Sequence, residues 1–184
     1  AHVRLWGWRF VDEFCWLRPG VPGRWPDRFK NGFEPVAHYA RGAAKFRPES
    51  VSYASDAIPV KSSSIGAVTS CTNGAYWNLS ADSESGMAFP SNVVECAGVE
   101  RGTGHTAAFP VGLPEFFIKA FSDAGDVIVD PFLGSGSTLI ASAKNARVCR
   151  GIEISPRYCD VIRRRWTRFA LAAGIDPGPG ALAP

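Results

Sequence analysis

Asp126-Val-Ile-Val-Asp130 is a short apolar run that ends in an acid and passes directly into the turn Pro131-Phe-Leu-Gly-Ser-Gly136. A continuous apolar run of this length, bounded by turn residues, reads as a short strand. Ser137 or Thr138 is placed to cap a following helix, running to about Asn145. Arg147 to Ile154 reads as a second strand, and Ser155-Pro156 caps and starts a final helix over residues 156–170. On that helix Tyr158, Ile162, Trp166 and Phe169 share one face, Arg164 and Arg168 point away, and the run Arg163-Arg164-Arg165 reads as solvated. Upstream, Leu113-Pro114-Glu115 starts another helix, with Pro in the first turn and Glu at the positive end of the dipole. Phe116, Phe117, Ala120 and Phe121 supply its apolar face, and Gly125 is a plausible stop. Helix, strand, glycine turn, helix, strand and helix in this order make a βαβ unit, and the fold class is α/β with an open parallel sheet.

The chemistry follows from the strand ends. Asp130 and Glu153 are read as ending the two strands, 23 residues apart, with Gly134-Ser135-Gly136 between them. In a βαβ unit such a turn lets a ligand approach the backbone at a helix N-terminus, and the acid after the second strand can accept hydrogen bonds from ribose hydroxyls. An adenosine-containing cofactor is therefore expected. The dinucleotide fingerprint needs Gly or Ala at a third position, where this chain has Leu139. A phosphate-binding G-x-x-x-x-G-K-[ST] run is absent from the sequence.

Residues 1–48 interleave basic and aromatic side chains: nine Lys/Arg against four Asp/Glu, with Trp6, Trp8, Phe10, Trp16, Trp25, Phe29 and Phe33 among them. Such a block can grip nucleic acid by charge and stacking, and equally fits an aromatic core with a basic rim. Val11 to Leu17 reads as a short buried strand and Val36 to Tyr39 as another. Residues 49–95 are polar, small and acidic, and read as an insert or a target-recognition-like loop. Residues 96–170 hold the βαβ region, and 171–184 read as a flexible tail. The sequence shows no apolar run long enough to span a membrane and no visible signal peptide. Five cysteines without metal-ligand spacing fit a reducing cytoplasm and no metal site.

The whole run Asp130-Pro-Phe-Leu-Gly-Ser-Gly-Ser-Thr138 resembles the S-adenosylmethionine motif of the DNA amino methyltransferases, the N6-adenine/N4-cytosine family. Gly104-His-Thr-Ala-Ala-Phe-Pro110 resembles the segment that precedes this motif in the permuted, β-type members, and Gly151-Ile-Glu-Ile-Ser-Pro-Arg-Tyr158 resembles their next motif. Residues 10–48, with Phe33-Glu34-Pro35 and Lys45-Phe-Arg-Pro48, are similar to the middle of phage and prophage members. The resemblance implies a partial Rossmann-like methyltransferase fold with an open, mostly parallel sheet, and S-adenosyl-L-methionine as cofactor. It places Phe132, Gly134, Ser135, Gly136 and Thr138 along the cofactor, Asp130 near its methionine end and Glu153 on its ribose. His105, Thr106, Phe109 and Pro110 would close over the methionine part. His105 also fits a loop-orienting role.

The family carries a catalytic tetrapeptide, [Asp/Asn/Ser]-Pro-Pro-[Tyr/Phe/Trp], upstream of these motifs in the permuted order. Ser155-Pro-Arg-Tyr158, Asp130-Pro-Phe132 and Asp176-Pro-Gly-Pro179 do not match it, and no catalytic residue is assigned. The resemblance therefore implies the cofactor-binding, C-terminal part of a site-specific DNA methyltransferase acting on adenine N6 or cytosine N4. Its expected partners are double-stranded DNA and either a second copy or the N-terminal part of the enzyme. Its expected setting is the cytoplasm of a prokaryote, or a phage gene. The alternatives are a catalytically inactive cofactor-binding remnant or regulatory subunit, and a methyltransferase acting on RNA or a small molecule.

Overall fold

The structure is a computed structural model, and it describes residues 6–18, 26–27, 29, 31–54, 87–88, 90–96 and 108–183. In chain order these form β1 (Arg9–Leu17), β2 (Phe33–Ala40), a 3-10 turn (Pro48–Val51), β3 (Tyr53–Ala54), β4 (Met87–Ala88), β5 (Val93–Val94), α1 (Gly112–Phe121), β6 (Val127–Asp130), α2 (Ser137–Lys144), β7 (Val148–Gly151) and α3 (Pro156–Ala172).

β1 and β2 form an antiparallel hairpin from Arg9↔Ala40 to Leu17↔Phe33, with an irregularity between Phe10 and Asp12. β5 adds to the other edge of β1 in parallel, and β3 pairs with β4 antiparallel. Strand side chains alternate between faces, so Phe14 and Trp16 turn together into the core while Glu13 stays in solvent. They pack with Val94 and Leu113, and Phe116, Phe117 and Phe121 of α1 close around them. Phe14 meets Phe117 edge-on with ring centroids 5.1 Å apart, the arrangement the ring quadrupoles favour. The expected buried strand over Val11 to Leu17 is thus longer and only partly covered: Phe10 and Val11 are exposed, because α1 packs against the other end of the strand.

Residues 45–47 are fastened to the end of α1. Lys45 Nζ lies 2.9 Å from Asp123 and 2.6 Å from Asp126, Arg47 pairs with Asp123, and the Arg47 N–H donates to the Ala120 carbonyl. The Lys45 hydrogen bond draws the Asp123 carboxyl below its ordinary pKa, and the Asp123 N–H donating to Asp126, followed by Lys45, draws the Asp126 carboxyl below its own.

β6 and β7 pair in parallel from Val127↔Val148 to Asp130↔Gly151, with α2 as the crossover. The expected βαβ unit is present, with three local differences. α1 ends at Phe121, capped by Ser122, and Gly125 instead forms the left-handed turn into β6. α2 is capped by Gly136 at φ 83°, so Ser137 is its first helical residue and neither Ser137 nor Thr138 caps it. β7 stops at Gly151, so Glu153 lies two residues past the strand rather than at its end.

α1 packs on α2, and α2 packs on β7 and α3. The side chains of β6 that alternate away from Ile128 are open: Val127 is 57% exposed and Val129 68%. Among the described residues, no strand pairs with the second edge of β6. A groove of about 400 Å³, lined by His38 and Ala40 of β2, Phe117 and Phe121 of α1 and Ile128 of β6, separates the two sheets there.

Candidate cofactor site

The site is built where β6 and β7 end side by side. Asp130 turns the chain at the end of β6, its Oδ1 accepting the Phe132 N–H at 2.9 Å. Backbone bonds then lace the two outgoing segments together: Ile152 N–H to the Asp130 carbonyl and Leu133 N–H to the Ile152 carbonyl, both 2.9 Å. Leu133 folds back against Gly151 so closely that a Cβ on that glycine would stand 2.5 Å from a Leu133 methyl. Gly134 and Gly136 hold φ of 57° and 83°, a region open to glycine at little cost.

Glu153 closes the loop from the β7 side. Its Oε2 accepts the Gly134 N–H and its Oε1 the Ser155 N–H, each at 2.8 Å. A carboxylate offers about four lone-pair positions, so both oxygens keep acceptor capacity for a ligand. Glu153 also lines an open depression of about 600 Å³ with Leu133, Gly151, Ile154, Pro156 and Ile162.

The remaining site residues expected from the sequence fall around this loop in different ways. Phe132 stands 86% exposed at its rim. Ser135, Ser137 and Thr138 are buried. The Ser135 hydroxyl lies 3.0 Å from Arg165 of α3. The Ser137 hydroxyl donates to the Phe109 carbonyl at 2.9 Å and so brings Phe109, with buried Pro110 beside it, to the base of the loop. His105 and Thr106 lie outside the described residues.

Sequence reasoning missed the steric part of Gly151 and the contacts of Arg165. In the sequence Gly151 reads as lying inside the strand Arg147 to Ile154 and as the first residue of the motif ending at Tyr158. Arg165, read as solvated with its neighbours, is half-buried and bonded to the loop.

A family model described as DNA methylase matches residues 2–164. The chain belongs to this family. Curated relatives include the orphan methyltransferase M.BamHII of Bacillus amyloliquefaciens, 39% identical over 80 residues, which are 44% of this chain and 30% of that protein. The type II methyltransferase M.ScaI of Streptomyces caespitosus is 49% identical over 63 residues, 34% of this chain and 20% of that protein. Among solved structures, the PvuII cytosine-N4-specific DNA methyltransferase superposes with a TM-score of 0.60 at 19% identity, over 89% of this chain and 53% of that one. The M1.HpyAVI complex with S-adenosylmethionine gives 0.58 at 18% identity, over 89% of this chain and 65% of that one. The fold of this chain is therefore that of the solved DNA methyltransferases. The chain spans about a third or less of these curated relatives' length and 53% to 65% of these solved chains.

Proposed function

We propose that the chain is the S-adenosylmethionine-binding portion of a site-specific DNA methyltransferase, which transfers a methyl group to adenine N6 or cytosine N4. The observation that carries the reading is Glu153. Its carboxylate pins the glycine loop and still presents acceptor positions beside an open depression, which is the donor–acceptor chemistry that a ribose diol requires. Phe132, Gly134, Ser135, Gly136 and Thr138 line the cofactor, Ser135 and Thr138 through the backbone because their side chains are buried. Asp130 faces its methionine end, and His105, Thr106, Phe109 and Pro110 close over that end. The bound cofactor supplies an electrophilic methyl group. The work of these residues is to bind it, orient it and exclude water.

The groups that receive the target amine come from elsewhere. A parallel sheet is ordinarily covered on both faces, yet Val127 and Val129 of β6 are exposed and the groove beside Ile128 is open. This favours a further polypeptide against β6, either the rest of the enzyme or a second copy of this chain. The rest of the enzyme would also bring the acceptor tetrapeptide that the sequence lacks, whereas a second copy would not. The basic, aromatic block of residues 1–48 favours a nucleic-acid substrate, and the likeness to bacterial DNA methyltransferases favours double-stranded DNA, in the cytoplasm of a prokaryote or from a phage gene. The missing tetrapeptide equally favours a second reading, a cofactor-binding remnant or regulatory subunit without activity of its own.

Titration calorimetry of the purified chain tests the proposal. S-adenosylmethionine or S-adenosylhomocysteine should bind and nicotinamide dinucleotides should not. The reverse preference would overturn it.

A further inference from the structure

Arg163, Arg164 and Arg165 stand together on α3, and Arg163 and Arg164 are exposed. Arg165 is half-buried and turned inward. Its Nη1 donates to the Ser135 carbonyl at 2.5 Å and to the Ser135 hydroxyl at 3.0 Å, and lies 3.5 Å from the Ser137 hydroxyl. The Ser137 hydroxyl spends its own hydrogen on the Phe109 carbonyl. One guanidinium nitrogen thus reaches three oxygens on the loop between β6 and α2, and the third oxygen extends the chain to residues 109–110.

Ser135 is flanked by Gly134 and Gly136, both at positive φ. A peptide bracketed by two glycines has unusual conformational freedom, so a defined loop needs restraint from outside. Glu153 holds the Gly134 N–H from the β7 side. Arg165 holds the next residue by its carbonyl and hydroxyl from the α3 side. The two restraints act on successive residues through opposite charges. An arginine on a helix surface ordinarily extends its head group to water, and a planar fork loses less freedom per hydrogen bond than an ammonium does.

We infer that Arg165 is a positioning residue. It sets the Gly134–Ser137 loop, and through Ser137 the Phe109–Pro110 segment, in the conformation that receives the cofactor. The inference rests on the reading of this loop as the cofactor site. Arg165 plays its part through Ser135 and Ser137.

The test uses the 184-residue chain with Arg165→Met, which keeps most of the aliphatic stem, Arg165→Lys, which keeps the charge, and Ser137→Ala. S-adenosylhomocysteine affinity is read by calorimetry, melting temperature by circular dichroism, and amide exchange at residues 135–138 in ligand-free protein. Arg165→Met should weaken binding about tenfold or more. Arg165→Lys should recover part of that loss, and Ser137→Ala should weaken binding in the same direction by less. Exchange at residues 135–138 should quicken in Arg165→Met. A residue that only staples α3 to the body would lower the melting temperature and leave affinity within about twofold of the parent; that result overturns the inference. If the parent chain binds no S-adenosylhomocysteine, the cofactor reading fails by itself. Exchange then decides the positioning, and unchanged protection in Arg165→Met refutes it.

Discussion

The Glu153 carboxylate accepts the Gly134 N–H at 2.8 Å, so the acid beyond β7 closes the glycine loop beyond β6. The same carboxylate accepts the Ser155 N–H at the start of α3. Glu153→Ala leaves both amides without this acceptor and removes the group assigned to the ribose. It should weaken S-adenosylhomocysteine binding by ~1 to 3 kcal/mol, the cost of unpaired polar groups. Glu153→Gln should also bind more weakly, because one acceptor oxygen becomes a donor NH₂ facing an N–H. Calorimetry reads both. Unchanged affinity in Glu153→Ala would remove this residue from the site.

Gly151 carries a steric constraint as sharp as the electrostatic one at Glu153. A Cβ there would meet Leu133 at 2.5 Å, and Leu133 is itself buried under the loop. Gly151→Ala should destabilise the chain by ~1 to 3 kcal/mol, the usual range for overpacking. Neighbouring sites couple, so adding Leu133→Ala should cost less than the two single changes together. Urea unfolding of the four proteins measures the coupling. Strict additivity would mean that the contact is not the cause.

The βαβ unit was legible because its signals are local. The apolar run of β6, the glycine turn and Ser155-Pro156 each act within a few residues. Asp130, Gly134, Gly136 and Glu153 stand out for the same reason, and the structure brings them together at the ends of β6 and β7. What escaped depends on partners distant in the chain. Gly151 is required by Leu133, 18 residues away, and Arg165 is turned inward by Ser135, 30 residues away. The α2 cap went to Gly136 rather than to Ser137 because the loop already holds that glycine at positive φ and buries Ser137 against Phe109. The aromatic block of residues 1–48 left two readings open. The structure takes Phe14 and Trp16 into the core and leaves Trp6, Phe10 and Phe29 exposed, so the core reading describes only part of the block.

Glu115 ties α1 to α2 and should give the stability a pH dependence. Its Oε2 lies 2.6 Å from Lys144 Nζ and its Oε1 3.3 Å from Lys119 Nζ. Partial burial pushes its pKa upward, but the hydrogen bond and charge of Lys144, helped by Lys119, outweigh this and hold it below the ordinary 4.5. A carboxyl whose folded pKa is depressed stabilises the fold above its unfolded pKa and loses that contribution as pH falls through the folded value. Glu115→Gln should therefore lower stability at neutral pH by on the order of 0.2 to 1 kcal/mol, as for partly exposed pairs. The gap between variant and parent should close as the solution is acidified below about 4.5. Denaturant midpoints across a pH series test this. A gap that widens in acid would reverse the sign.

The chain alone should bind the methyl donor without methylating DNA at a useful rate. In the proposed reading, cofactor binding draws on Asp130, Phe132, Gly134, Gly136 and Glu153, which lie together at the ends of β6 and β7. Transfer also needs an acceptor site. An exocyclic amine is a poor nucleophile because its lone pair is conjugated with the ring. It needs groups that take its hydrogens and an aromatic face on which the flipped base can stack. No [Asp/Asn/Ser]-Pro-Pro-[Tyr/Phe/Trp] run occurs in the sequence. The exposed Val127 and Val129 lie on β6, beside the cofactor loop that this strand enters. Losing the orientation of two reactants can forfeit on the order of 7 to 11 kcal/mol of barrier lowering, enough to abolish measurable turnover. Labelled S-adenosylmethionine with mixed-sequence duplex DNA is the assay. Background incorporation is expected, and activity should appear only when a polypeptide carrying the tetrapeptide is supplied. Robust turnover by the isolated 184 residues would refute the argument. It would transfer the acceptor role to a non-standard loop, with residues 1–30 the first place to look.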